Sequence, residues 1–218
     1  MGLLVGVIVN LVLLTAPLFL LHHTDWLLTD LAIVLFLLLA TLSYLAEATA
    51  VLAAHGERSI DRRADDAATN LIALSTGLGM LAVFWIGLTF RTADSPTLGV
   101  TQWLGALMFV LGIAFRRSAI YDLGPFFVTA ITVTQGQPLA RGGIYRIVRH
   151  PSETGLLAII YGASLLLLSF GGVIACSLII LPSSIWRMRR EDRCLEQAFG
   201  EQFRDYSRQV KSVLPFVL

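Results

Sequence analysis

Polar residues that could do chemistry are concentrated in one stretch of an otherwise apolar chain, residues 141–155. Its His150-Pro151 pair comes directly before an apolar run that begins at Leu156. Proline disfavours the helical conformation in the residue before it and is tolerated in the first turn of a helix. We therefore expect His150 to be extended and Pro151 to open a helix. The free N–H groups and positive dipole end of that helix would face a polar pocket.

A second charged region lies near the C-terminus, between residues 183 and 210. Apolar side chains recur there every three or four residues, which predicts one amphipathic helix, or two helices broken near Gly200. The recurring residues are Leu195, Phe199, Phe203, Tyr206 and Val210. Arg187 and Glu191 are four residues apart and share a face of this helix. By spacing alone, a basic helix lying on anionic lipid explains the pattern at least as well as a binding site does.

The composition places these regions in an integral membrane protein. Hydrophobic residues make up 56% of the 218 residues, charged residues only 14%, and the mean hydropathy is +0.76. This composition excludes an ordinary soluble domain. Four segments are long enough to cross a bilayer, residues 3–21, 27–46, 71–90 and 98–115, and residues 156–186 predict a helical hairpin with its turn near Gly171-Gly172. The predicted fold class is an all-α polytopic membrane helical bundle.

Charge placement predicts the orientation of this bundle. If the N-terminus is cytoplasmic and the late hairpin returns to the side it entered from, all 16 basic residues except Arg91 lie on the cytoplasmic side. The N-terminal apolar segment lacks a basic leader region and is interpreted as a retained span. We therefore expect both termini in the cytoplasm, four transmembrane helices in residues 1–115, and the hairpin and a C-terminal cytoplasmic amphipathic helix in residues 116–218.

Several other features are given structural interpretations. Glu47 follows a segment that already crosses the membrane, so an interfacial position is favoured over a functional one, although an acid within a span is often functional. Residues 116–140 contain a break at Gly124-Pro125 and a β-leaning run, which predict an extended or hairpin-like cover beneath the pocket. Cys176 and Cys194 lie in regions too different to pair, and no Cys/His cluster has metal-ligand spacing. We expect neither a metal nor a nucleic-acid partner.

Two sequence blocks, taken together, indicate a family. The first contains Tyr145 and continues through Arg149-His150-Pro151 to Gly155. The second begins with Arg187-Met188-Arg189-Arg190-Glu191-Asp192 and continues through Phe199-Gly200, Phe203 and Tyr206 to Pro215. At this separation the pair resembles the isoprenylcysteine carboxyl methyltransferase and phospholipid methyltransferase superfamily of membrane enzymes. The resemblance covers about residues 120 to 216.

The resemblance implies a membrane enzyme that binds S-adenosylmethionine on the cytoplasmic side, under the late hairpin, and methylates a lipophilic acceptor. The implied acceptor is a prenylcysteine-like carboxylate or a lipid amine. The cofactor-binding residues that it implies are Tyr145, Arg149, His150, Pro151, Gly155, Arg187, Arg190 and Glu191. Arg187, Glu191 and Glu153 are the candidate catalytic residues. Arg187 and Glu191 would hold the carboxylate and the ammonium of the cofactor's amino-acid end.

The chain departs from the family pattern at two positions. Asp192 replaces the second acid of a Glu-Glu pair, and Glu153 stands where the family usually has tyrosine. Glu153 has two interpretations of equal weight, a first-turn acid favoured by the helix dipole or a pocket residue that alters the acceptor. If the acceptor is an amine, Glu153 or His150 is the candidate general base.

Two other functional classes compete with this interpretation. Membrane sterol-type reductases, which use NADPH, also carry an Arg-His-Pro block before a late hairpin, but usually with Asn and Tyr where this chain has Ser152 and Glu153. A non-catalytic membrane protein with the same fold is the third candidate. The methyltransferase interpretation depends on His150 and Glu191 lying at one pocket.

Overall fold

The computed structural model describes residues 30–55, 66–89, 97–127, 131–133 and 135–213, and all regular structure within these ranges is helical. Six α-helices follow one another along this part of the chain. They are α1 (Leu31–His55), α2 (Asp66–Thr89), α3 (Val100–Leu123), α4 (Pro151–Leu166), α5 (Phe170–Phe199) and α6 (Glu201–Gln209). Short 3-10 turns occupy Gly124–Phe126 and Gly143–Arg146. The first predicted span, residues 3–21, lies outside the described residues.

The helical bundle has the apolar exterior of a membrane protein. Helices α3 and α5 are long and apolar enough to cross a bilayer, whereas the apolar parts of α1 and α2, Leu31–Glu47 and Leu74–Thr89, are shorter. Large apolar side chains such as Leu38, Trp103 and Leu178 are more than half exposed on the outside of the bundle. Extended apolar surfaces of this kind mark contact with lipid or protein. The all-helical membrane class is confirmed, and the number of spans stays a prediction.

Glycines bring α3 and α4 into backbone contact. A Cβ at Gly105 would lie 2.7 Å from the carbonyl oxygen of Gly162, and a Cβ at Gly155 would lie 2.7 Å from that of Gly112. The glycines are seven residues apart in each helix, so both lie on the same contact line. Small residues allow helices to approach this closely. Gly155, which the family resemblance assigns to the cofactor pocket, is therefore located in the packing of α4 against α3.

The turn between α4 and α5 lies a few residues earlier than predicted. Helix α4 ends at Leu166, Leu168 adopts a positive φ of 52°, and the Ser169 hydroxyl caps α5 by accepting from Gly172 N at 3.2 Å. Gly172 lies inside the first turn of α5, where a Cβ would lie 3.1 Å from Val83 Cα of α2. The glycine pair thus permits close helix packing instead of forming the turn.

Two helices extend further than the hydrophobic segments predict. Helix α3 continues past Phe115 to Leu123 and ends where Gly124 adopts a φ of 53°. Helix α5 runs without interruption through Pro182 to Phe199, and Gly200, with a φ of 54°, separates it from α6. The predicted break near Gly200 is confirmed. The continuity of α5 matters for the site, because one rigid helix carries both the apolar contact with α2 and the charged residues that begin at Arg187.

Candidate active site

Pro151 begins α4 as predicted, but His150 before it is not in the extended conformation that we expected from the sequence. His150 precedes the helix with φ of −118° and ψ of 61°, and Pro151 occupies its first turn. Proline is favoured there because its missing N–H would have no partner within the helix. The histidine side chain does not face solvent, since His150 is only 3% exposed.

Two carboxylates of α5 hold the His150 ring. Nε2 lies 2.9 Å from Asp192 Oδ1, and Nδ1 lies 3.4 Å from Glu191 Oε2. Burial by itself lowers the pKa of His150, but the hydrogen bonds to Asp192 and Glu191 and their charges outweigh it and raise the pKa to about 9. His150 is therefore an imidazolium at neutral pH and donates from both nitrogens. The two sequence blocks meet at this ring, although His150 and Asp192 are 42 residues apart in the chain.

Arg149 shares Asp192 with His150. Its Nη2 donates to Asp192 Oδ2 at 3.0 Å, and its Nη1 donates to the carbonyl oxygens of Ser207 at 3.2 Å and Val210 at 2.7 Å. The carbonyl groups at the end of a helix have no hydrogen-bond donor within the helix, and an arginine side chain can donate to them. Arg149, one of the predicted cofactor residues, thus joins α5 to the end of α6.

Glu153 and Arg187 form a second ion pair beside the histidine. Arg187 Nε lies 3.2 Å from Glu153 Oε1, and Glu153 is only 5% exposed in the first turn of α4. Among the described residues, Glu153 Oε2 has no hydrogen-bond partner although it is buried. The position in the first turn agrees with the helix-dipole interpretation, and the contact with Arg187 connects the same residue to the candidate site.

A small cavity of about 40 Å³ lies beside these charges, and Arg187 and Glu191 line it. Its other walls are largely apolar and come from the end of α3, the 3-10 turn and α5, through Leu123, Phe126 and Leu195. Residues 131–133, which belong to the predicted cover segment, also line the cavity, whereas residues 128–130 and 134 of that segment lie outside the described residues. A few polar groups on apolar walls are typical of small-molecule sites.

Three further predicted cofactor residues do not line the cavity and make other contacts. The Tyr145 hydroxyl lies 3.4 Å from the Ala119 carbonyl oxygen, and the Tyr145 carbonyl accepts from Tyr206 Oη at 2.6 Å. Arg190 is exposed, and its guanidinium carbon lies 5.4 Å from the centre of the Trp186 ring. Pro151 is fully buried at the start of α4. Their roles toward a cofactor stay predictions.

Sequence reasoning missed the partner of Glu47. Arg116 on α3 donates from Nε to Glu47 Oε2 at 2.7 Å, and from Nη1 to Ser152 Oγ at 2.7 Å. This arginine therefore joins α1, α3 and the first turn of α4, next to Glu153. A signal was present in the sequence, because an acid at the end of one apolar segment and an arginine at the end of another are expected to pair.

The fold and the site define a class of helical membrane protein in which a His-Pro loop contacts a charged late helix. The cavity beside this contact is lined by Arg187 and Glu191, whereas His150 and Pro151 do not line it. Residues 100–202 match the sequence model of the family described as phospholipid methyltransferase. Protein-S-isoprenylcysteine O-methyltransferase B of Arabidopsis thaliana is 32% identical over 127 residues, covering 56% of this chain and 64% of that relative. The Mus musculus protein-S-isoprenylcysteine O-methyltransferase is 29% identical over 143 residues, covering 61% of this chain and 49% of that relative.

A solved structure shares the fold. The eukaryotic intramembrane Ras methyltransferase, isoprenylcysteine carboxyl methyltransferase, superposes with a TM-score of 0.58 at 22% identity, covering 82% of this chain and 63% of that one. The chain is thus similar to the phospholipid methyltransferase family over residues 100–202 and to isoprenylcysteine O-methyltransferases over 127 to 143 residues. It spans between about half and two thirds of the length of these relatives.

Proposed function

We propose that this protein is a membrane methyltransferase that binds S-adenosylmethionine at the cavity and methylates a lipophilic acceptor at the cytoplasmic face. The observation that carries the proposal is the meeting of the two sequence blocks, with His150 2.9 Å from Asp192 and 3.4 Å from Glu191, beside a cavity that Arg187 and Glu191 line. The names of the relatives support methyl transfer as the reaction.

The lining of the cavity suits the methyl donor. Its amino-acid end carries one carboxylate and one ammonium, and the cavity offers one guanidinium, Arg187, and one carboxylate, Glu191. A planar guanidinium is a good partner for a carboxylate. The apolar walls, which include Phe126 and Leu195, would shelter the rest of the molecule from water. When bound, the donor supplies an activated methyl group on a sulfonium.

The residues of the chain then have orienting roles. His150 holds Glu191 and Asp192 through both ring nitrogens, so it is already protonated and is a poor general base. Methyl transfer depends mainly on alignment and on the exclusion of water, for which a continuous α5 and largely apolar cavity walls are suited. If the acceptor is an amine, Glu153 is the remaining candidate base, because its Oε2 has no hydrogen-bond partner among the described residues.

The acceptor would reach this site from the bilayer. The outer faces of α3 and α5 carry exposed apolar side chains such as Leu107 and Ile174, so a lipid-like molecule can approach from the side. The relatives named above act on isoprenylcysteine. We propose a prenylcysteine-like carboxylate or a lipid amine as acceptor for this chain.

We also propose that both termini and the cavity are cytoplasmic, since nearly all basic residues then lie on that side.

A binding titration with purified full-length protein tests the cofactor assignment. S-adenosylhomocysteine, the product form of the donor, is the probe, and Arg187→Ala and Glu191→Ala are the variants. We expect each to weaken binding by about 1.5–3 kcal/mol, or roughly tenfold to a hundredfold, as for a lost hydrogen bond to a charged group. Arg193→Ala is the matched control, because Arg193 is exposed on the same helix.

The outcomes separate the competing functions. Binding that is unchanged in both variants would remove the proposed clamp. Binding of NADPH in place of S-adenosylhomocysteine would indicate a reductase, and binding of neither would indicate a non-catalytic membrane protein. Transfer of a labelled methyl group to a total membrane lipid extract, followed by identification of the labelled product, would then establish the acceptor.

A further inference from the structure

The chain that follows α6 returns to the His150 loop and binds it through its backbone. We call residues 210–213 the strap. All four of their carbonyl oxygens accept a hydrogen bond from the stretch between Arg149 and Thr154. Val210 O accepts from Arg149 Nη1 at 2.7 Å, Lys211 O from Arg149 N at 2.8 Å, Ser212 O from His150 N at 3.0 Å, and Val213 O from Thr154 Oγ1 at 3.2 Å.

Side chains anchor the strap to the bundle as well. Val213 packs against the main apolar core, and the Ser212 hydroxyl lies 3.7 Å from Met188 Sδ on α5. Lys211, in contrast, is exposed and contributes its carbonyl. The strap thus lies across the entrance to α4, where the amides of Arg149 and His150 precede the helix and need acceptors from another part of the chain.

This arrangement connects the strap to the cavity. The strap holds the backbone of His150, the His150 ring holds Glu191 at 3.4 Å, and Glu191 lines the cavity. We propose that the strap is a positioning element of the site. Its docking fixes the position of His150 and, through the His150 ring, the position of Glu191. Ligand affinity is therefore higher when the strap is docked. This inference rests on the proposed cofactor site.

The coupling follows from linkage. If a ligand binds more tightly when the strap is docked, the ligand must stabilise the docked strap by the same factor. The amides of Arg149 and His150 report on docking directly, because they donate to Lys211 O and Ser212 O. Their hydrogen exchange in the unaltered protein should slow when S-adenosylhomocysteine is added, while the amides in the middle of α2 exchange at an unchanged rate.

Substitutions in the strap provide the second arm. Val213→Asp places a carboxylate against the apolar core and should displace the strap, which we expect to weaken S-adenosylhomocysteine binding at least tenfold. It should also lower the pKa of His150, followed by NMR of the imidazole nitrogens, with helical content retained. Lys211→Ala is the control, since its backbone contact survives, and it should bind as the unaltered protein does.

The two proposals fail in distinguishable ways. If the unaltered protein does not bind S-adenosylhomocysteine, the cofactor assignment falls. If it binds but the Arg149 and His150 amides gain no protection, or if Val213→Asp binds normally with an unchanged His150 pKa, the positioning role is overturned. The exchange measurement needs no substitution, so it decides the question even if Val213→Asp does not fold.

Discussion

Raising the pH should destabilise this protein through a single buried histidine. The folded-state pKa of His150 is raised from 6.5 to about 9, because its bonds and charge interactions with Asp192 and Glu191 outweigh the effect of burial. A raised pKa means that the folded state binds the proton more tightly than the unfolded state. The resulting stabilisation is fully present below about pH 6.5 and is lost as the pH rises through about 9.

The magnitude follows from the size of the shift. Each pKa unit corresponds to about 1.4 kcal/mol, so the shift to about 9 amounts to on the order of 3 kcal/mol. His150 is only 3% exposed, so little of this is screened by solvent. For a chain of this length, 1 kcal/mol shifts the melting temperature by roughly 2–4 °C. We therefore expect a fall of roughly 6–12 °C.

Thermal unfolding in detergent at pH 6.5 and pH 9.5 measures this fall. His150→Gln is the reference, since it keeps a polar side chain that does not titrate, and its melting temperature should change much less over the same interval. Subtracting the reference removes the contribution of every other group that titrates in this window. Equal pH dependence in the two proteins would refute the assignment of the proton to the ring between Asp192 and Glu191.

Two further predictions concern the packing that holds the site. Gly112→Ala and Gly155→Ala each place a Cβ within 2.8 Å of backbone atoms across the contact between α3 and α4. Each should therefore lower the free energy of unfolding by about 1–3 kcal/mol, measured by chemical unfolding. Gly142→Ala is the control, because a Cβ there meets nothing within 4 Å, and it should leave the stability unchanged. Arg116→Ala leaves Glu47 without its partner and should also lower the free energy of unfolding by about 1–3 kcal/mol. The double variant Glu47→Ala/Arg116→Ala should lose less stability than the sum of the two single variants. Additive losses would mean that the pair does not couple the helices.

The local chemistry of the chain was open to prediction from sequence because it depends on neighbouring residues. Pro151 restricts His150 and begins α4, the glycines at 124 and 200 end α3 and α5, and the apolar composition requires a bundle in lipid. The four-residue spacing likewise places Arg187 and Glu191 on one face of α5. Each of these conclusions uses only the backbone preferences or the hydropathy of a short segment.

Which residues become partners was decided by the tertiary structure. Glycines that sequence patterns assign to a turn or to a pocket serve close helix contacts instead, because their use depends on which helix lies opposite. Arg187 pairs with Glu153, and the two ring nitrogens of His150 contact Asp192 and Glu191. The strap binds the backbone of Arg149 and His150 through carbonyl oxygens. Every residue has a backbone carbonyl group, so no pattern of side chains in the sequence predicts the contacts of the strap. Only the path of the folded chain brings those carbonyls to the histidine.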